Sequence, residues 1–304
     1  MTKNVILACG LGDIFTFLTR LDDYFKNNPE YTSIKFWLWN HSPNVARELV
    51  LLSKHNVEIF SLEDMEQYLT KQIPEEFLPQ ARKHFITQNP YGVGVDKYMK
   101  FMSQFFPNLE SWVFLPTYTK YKSKYPYKLN VEPTKREKDY IIVHPFSTIV
   151  RTEKPERTWS CKRWGKLISM IDNYYKDVEV IIIGRNQDKI ESIRDFKKGT
   201  FVDLRGETSL TESIGLIYGA KAVVGINSWP TLMSMWAGIP TYEQWFVQHQ
   251  LIESHHPKTK YKINTVYTEL PNKGAATSDL NAYHPMVNVV WENVRKVLDA
   301  AITF

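Results

Sequence analysis

With 304 residues, of which 43% are hydrophobic, 14% aromatic and 23% charged, the chain can bury one large core or two medium ones and is not a disordered polyelectrolyte. A formal net charge of +5 suits anionic partners such as nucleotide phosphates, nucleic acid or a membrane surface, without choosing among them. The only cysteines, Cys9 and Cys161, make neither a disulfide framework nor a zinc site, and no segment reaches the ~20 apolar residues of a membrane span, so a cytoplasmic protein without stable membrane insertion is expected.

Residues 4–9 read as a buried strand, Gly10-Leu11-Gly12-Asp13 as a tight turn, and Ile14 to Phe25 as a helix. A second strand is expected over Ile34 to Trp39, and a helix from Ser42-Pro43, where proline suits the first turn. Val57 to Phe60 reads as a third strand and Leu62 to Thr70 as a short helix. Strands alternating with helices imply a parallel sheet. Residues 74–116 are irregular and carry several prolines. Tyr118, Tyr121, Tyr125 and Tyr127 then interleave with Lys120, Lys122, Lys124 and Lys128, and the polar run Thr134 to Asp139 follows, which reads as a domain boundary.

The alternation restarts at Tyr140 to His144. Helices are expected over Lys162 to Tyr175, Gln187 to Phe196 and Leu210 to Tyr218, and strands over Val178 to Gly184, Thr200 to Asp203 and Ala222 to Gly225. The most informative stretch is 223–240. Its apolar run stops at Asn227-Ser228, Pro230 opens a Met-rich helical segment, and Gly238-Ile239-Pro240 ends it. A strand–turn–helix of this kind offers hydroxyls and a helix N-terminus, both attractive to a phosphate. Pro285 to Ile302 reads as one long amphipathic helix. The expected organisation is an N-terminal α/β domain over 1–132, a C-terminal α/β domain over 133–284, and a long helix over 285–304.

These segments, taken in order, resemble glycosyltransferase family 9, the group that includes the lipopolysaccharide heptosyltransferases. The resemblance rests on Gly10-Leu11-Gly12-Asp13, His144-Pro145-Phe146-Ser147, Lys162-Arg163-Trp164, Val180 to Gly184, Leu204 to Leu210, and Asn227-Ser228-Trp229-Pro230 to Pro240. It is good over 140–241, weaker over 1–60 and absent over 74–130. It implies a GT-B architecture, two Rossmann-like α/β domains facing each other across a cleft, with the acceptor side in 1–132, nucleotide-sugar binding in 133–284, and the helix over 285–304 packing back on the first domain. It also implies an inverting sugar transfer from a nucleotide sugar to a hydroxyl, with the donor as substrate and no cofactor or bound metal. The chain departs from the family at the phosphate loop, where Asn227 stands for Asp, Trp229 for Gly and Leu232 for His, which speaks against an ADP-heptose donor.

By this resemblance Asp13 is the catalytic base, although an Asp there also suits a helix cap. Gly12, Ser147, Lys162, Arg163, Thr208, Ser209, Asn227 and Ser228 are the expected donor-binding residues, with Arg151 and Arg157 as further candidates. Lys162 and Arg163 suit the charge that grows on a leaving diphosphate, but equally a solvated helix start. Ser209 followed by Glu212 also spells a capping box. Lys120, Lys122, Lys124 and Tyr121 would contact a glycan or a DNA base, or else form a surface linker. The acceptor is thus a lipopolysaccharide-like glycan or a hydroxylated DNA base. A second class stays open: a nucleotide-, sugar- or nucleic-acid-binding protein that kept the fold and lost catalysis. His255-His256 reads as loop histidines and Cys9 as inert core.

Overall fold

The computed structural model describes residues 1–7, 10–38, 43–60, 67, 71, 74–79, 103–104, 108–111, 120–146, 159–188, 201–244, 265–268 and 286–302. The chain divides into two units, Met1–Lys124 and Tyr125–Phe304.

The first unit carries a four-stranded parallel sheet in the order β3-β2-β1-β4. Its strands are β1 (Thr2–Leu7), β2 (Ser33–Leu38), β3 (Val57–Phe60) and β4 (Leu109–Ser111). On β2 the side chains of Ile34 and Phe36 are buried, while Lys35 between them pairs with Glu58 of β3, the period of two expected of a strand. The helix expected over Ile14 to Phe25 is two helices, α1 (Leu11–Leu18) and α2 (Leu21–Asn27). The break has a local cause. The Thr19 hydroxyl and the Arg20 guanidinium both donate to the carbonyl of Thr16, and Arg20 N–H turns back to Phe17 O, which tightens and ends α1. Helix α3 (Pro43–Leu51) starts at the proline, as expected. β4 has only three residues and no apolar pattern, so the sequence gives no sign of it.

The second unit carries a six-stranded parallel sheet in the order β10-β9-β8-β5-β6-β7. Its strands are β5 (Tyr140–His144), β6 (Glu179–Ile182), β7 (Val202–Asp203), β8 (Ala222–Ile226), β9 (Thr241–Gln244) and β10 (Thr265–Thr268). β5 and β8 are buried along their whole length, as continuous apolar strands covered on both faces must be. Helices α4 (Cys161–Tyr174), α5 (Leu210–Gly219) and α6 (Trp229–Trp236) follow β5, β7 and β8.

The last helix, α7 (Val287–Ile302), buries its apolar face in the core of the second unit. Val287, Val290, Trp291, Val294, Val297 and Leu298 join one core with Trp164, Leu167 and Ile168 of α4 and with Ile141, Val143, Val224 and Tyr242 of the second sheet. Burying each such side chain is worth about 1.5–3 kcal/mol, so this apolar stripe decides where the helix docks. α4 and α7 thus cover one face of the sheet. The opposite face meets α6, where Ser234 bonds Thr241 and Thr231 bonds Glu243.

The Tyr/Lys stretch is extended and alternates. Tyr121, Tyr127 and Leu129 are buried, whereas Lys122, Lys124 and Lys128 are exposed. Its first part is tied to the first unit by Lys124 N–H to Thr19 O, Lys122 N–H to Asp23 and a Lys124–Asp22 ion pair at 3.0 Å. Its second part is tied to the second unit by Tyr127 N–H to Trp236 O, Leu129 N–H to the Tyr218 hydroxyl and Thr134 N–H to Gly215 O.

Candidate active site

Asp13 lies in the first turn of α1, half-buried. Its Oδ2 accepts the N–H of Gly10 at 2.9 Å, so the carboxylate does cap its own helix. Capping fixes the rotamer and holds the carboxyl at the helix N-terminus, which is the positioning a catalytic base also requires. Gly12 sits one residue before it, and its carbonyl accepts the Thr16 hydroxyl at 2.9 Å.

In the second unit the strand order is the doubly wound 3-2-1-4-5-6, and it reverses between β5 and β8. Ligands of such sheets bind outside the carboxyl ends of the strands at that switch point. His144 ends β5, and Asn227-Ser228 follows β8. The Ser228 hydroxyl lies 3.0 Å from His144 Nδ1 and 3.2 Å from Ile226 O, so one side-chain bond bridges the two strand ends. A hydroxyl has one proton, and the Ile226 carbonyl can only accept. Both contacts are satisfied when Ser228 donates to Ile226 and His144 Nδ1–H donates to Ser228, which assigns the tautomer from the network. Burial holds the imidazole neutral, pushing its pKa down from 6.5 to about 4, with Arg185 pushing the same way and Asp188 opposing. Gly225 makes the bridge possible. A Cβ there would meet His144 O at 2.8 Å and Thr231 Cγ2 at 2.9 Å.

The serine expected to give its hydroxyl to phosphate is therefore engaged with protein. Asn227 is similarly held: its Nδ2 donates to Glu243 Oε1 at 2.9 Å and its backbone N–H to Gln244 O. Pro230, at the second position of α6, has no N–H to offer. Trp229 opens α6 half-buried and Leu232 is core, so neither reproduces what the family's Gly and His would do there.

Positive charge collects instead at the first turn of α4. Ser160 caps this helix by accepting Arg163 N–H. Lys162 is exposed beside it, and Arg163 Nη1 is buried without a hydrogen-bond partner. A buried guanidinium nitrogen left unpaired is costly, so an anion arriving there is favoured. Thr208 and Ser209 serve α5: Thr208 bonds Ser213 at 2.8 Å, and Ser209 with Glu212 forms the reciprocal capping box. Just past β7, Arg205 is buried in a fork onto Asp203, with both contacts at 2.8 Å and a third bond to Asp188 O. Ser147, Arg151, Arg157, His255, His256 and Cys9 lie outside the described residues.

Tyr121 is not offered to a base or a sugar. Its ring packs edge-on against Tyr24 at 5.0 Å, its hydroxyl receives Asn28 Nδ2, and Lys120 lies over its face. Lys124 is paired with Asp22, while Lys120 and Lys122 keep exposed side chains. Among the described residues no group of three or more His, Cys, Asp or Glu could hold a metal, and no helix is long and apolar enough to cross a membrane.

The sequence assigns no role of their own to His144, Glu243 and Gln244. All three are buried polar residues at strand ends. The available signal was polar residues closing apolar strands, since such groups are retained only when bonded or used.

Comparison with known proteins agrees with this geometry. The pattern of "Glycosyltransferase family 9 (heptosyltransferase)" matches residues 80–232, half of the chain. No curated protein matches the chain in sequence. A glycosyl transferase family 9 protein from Veillonella parvula superposes with a TM-score of 0.60 at 11% identity, covering 98% of both chains. The ADP-heptose lps heptosyltransferase II of E. coli superposes with a TM-score of 0.58 at 14% identity, covering 98% of this chain and 99% of that one. The E. coli heptosyltransferase WaaC with ADP-2-deoxy-2-fluoro heptose gives a TM-score of 0.58 at 11% identity, covering 97% and 99%. These likenesses show the GT-B fold.

Proposed function

Because the chain belongs to glycosyltransferase family 9, we propose that it transfers a sugar, with inversion, from a nucleotide-sugar donor to a hydroxyl of a lipopolysaccharide-type glycan. The observation that carries the donor site is the first turn of α4, where exposed Lys162 adjoins Arg163 with its unpartnered buried Nη1, following the strand that ends in His144. In this reading Asp13 takes the proton of the acceptor hydroxyl. The acceptor oxygen bonds the anomeric carbon as the bond from that carbon to the diphosphate oxygen breaks. Lys162 and Arg163 neutralise the departing diphosphate, an electrostatic contribution that grows as the bond breaks. His144, neutral, acts through Ser228 to fix the turn that carries Asn227.

A glycan is preferred to a hydroxylated DNA base because Tyr121 is buried and Lys124 is paired with Asp22. The donor is used without a metal, so chelation by EDTA leaves turnover unchanged. The experiment is thermal unfolding with nucleoside diphosphates and nucleotide sugars. A ligand at 100 times its Kd adds about 2.7 kcal/mol of stability. Lys162→Met and Arg163→Met should each reduce that gain. A wild-type midpoint that none of these nucleotides moves would remove the donor-site reading.

A further inference from the structure

The carboxyl end of β9 carries two polar side chains whose burial the proposed site has not explained. Glu243 and Gln244 are both 0% exposed. Glu243 shares the α6 face, where Oε1 accepts Asn227 Nδ2 at 2.9 Å and Thr231 Oγ1 at 2.7 Å. Gln244 leaves the strand on the opposite face, that of Tyr242, and both its amide oxygen and its amide nitrogen are buried without a hydrogen-bond partner. An amide in that state costs free energy at two atoms at once, and leucine would fill a similar volume without the cost. The pairing at Glu243 also decides what Asn227 presents. With Nδ2 turned to the carboxyl, Oδ1 points away from it as an acceptor, at the half-buried turn beyond β8.

Acceptor oxygens backed by a buried carboxyl repel phosphate and suit hydroxyls. The cations lie elsewhere along the sheet edge, at the start of α4, which follows β5, and β8 separates β5 from β9. We propose that the carboxyl end of β9 recognises the sugar of the donor, with Gln244 as the contacting amide and Glu243 as the residue that positions Asn227 for a sugar hydroxyl. Charge and hydroxyl recognition are thereby divided along one sheet edge, the diphosphate at α4 and the sugar flanking β9. The inference rests on the donor-site reading above.

The test is calorimetric titration of full-length protein with matched pairs: ADP and ADP-glucose, UDP and UDP-glucose, GDP and GDP-mannose. Variants are Gln244→Leu and Glu243→Gln. For the pair that the wild type binds, each variant should raise the Kd of the nucleotide sugar about tenfold, a loss typical of one or two hydrogen bonds, and leave that of the nucleoside diphosphate unchanged. Unliganded Gln244→Leu should melt at the wild-type temperature or above it. If both members of the pair weaken together, or neither does, the β9 end is not a sugar site. If Gln244→Leu melts lower and leaves the two Kd values in their wild-type ratio, the amide is structural and the inference falls. A wild-type protein that binds none of the pairs overturns the donor site itself, and this inference with it.

Discussion

Acidification should destabilise this protein in part through one buried imidazole. His144 has a folded pKa of about 4, against 6.5 for the ordinary side chain. The unfolded chain therefore binds a proton that the folded chain refuses anywhere between those values. Stability from this group is complete above pH 6.5 and is lost as the pH falls toward 4. With the two pKa values the loss is about 2 kcal/mol at pH 5 and about 3 kcal/mol at pH 4. Carboxylates elsewhere add their own slope, so the comparison is between wild type and His144→Gln, whose amide does not titrate. Urea unfolding of both at pH 7.5, 6 and 5, followed by tryptophan fluorescence, gives the two slopes. Trp159 and Trp164 report on the same core, being fully buried with rings 5.3 Å apart. The variant should start lower at pH 7.5 and converge on the wild type by about pH 5. Parallel curves over that range would refute the claim that His144 is held neutral by burial.

Three further outcomes are expected. Asp13→Asn keeps an oxygen acceptor for Gly10 N–H, so thermal stability should change little, while kcat falls 10²–10⁴-fold; wild-type turnover in this variant would leave Asp13 as a helix cap alone. Gly225→Ala places a methyl 2.8 Å from His144 O and should cost about 1–3 kcal/mol in denaturant unfolding, with weaker nucleotide binding, because the β5–β8 bridge must open; an unchanged midpoint would show that the strands relax freely. Arg205→Met leaves Asp203 without its fork and should cost about 3 kcal/mol, read as a lower unfolding midpoint, and a neutral result would mean that the pair only breaks even against an apolar side chain.

Legibility of the site followed the range of the interactions involved. The Ser209–Glu212 capping box needs residues three apart, so the sequence spells it, and Asp13 capping α1 is equally local. Ser228 reads from the sequence as part of a phosphate-binding turn, but its partner His144 is 84 residues away, so no local pattern shows that its hydroxyl is engaged. Tyr121, alternating with lysines, reads from the sequence as a ligand contact or as part of a surface linker. In the fold its ring is buried against Tyr24, almost a hundred residues earlier in the chain, a contact that no local pattern announces.

The sequence by itself determined the two α/β units, the parallel strands and the order of the helices. Apolar runs, proline starts and glycine stops act within a turn or two of chain, and they survive any tertiary arrangement. It did not determine β9, where Glu243 and Gln244 break the apolar rule for a central strand, nor the docking of α7. Those were decided by long-range pairing, because a buried carboxyl is tolerated only beside Asn227 and Thr231, and an apolar helix face only against a core with room for it. Which polar groups remain for a ligand is a remainder left after every other bond is made, and that remainder exists only in the folded chain.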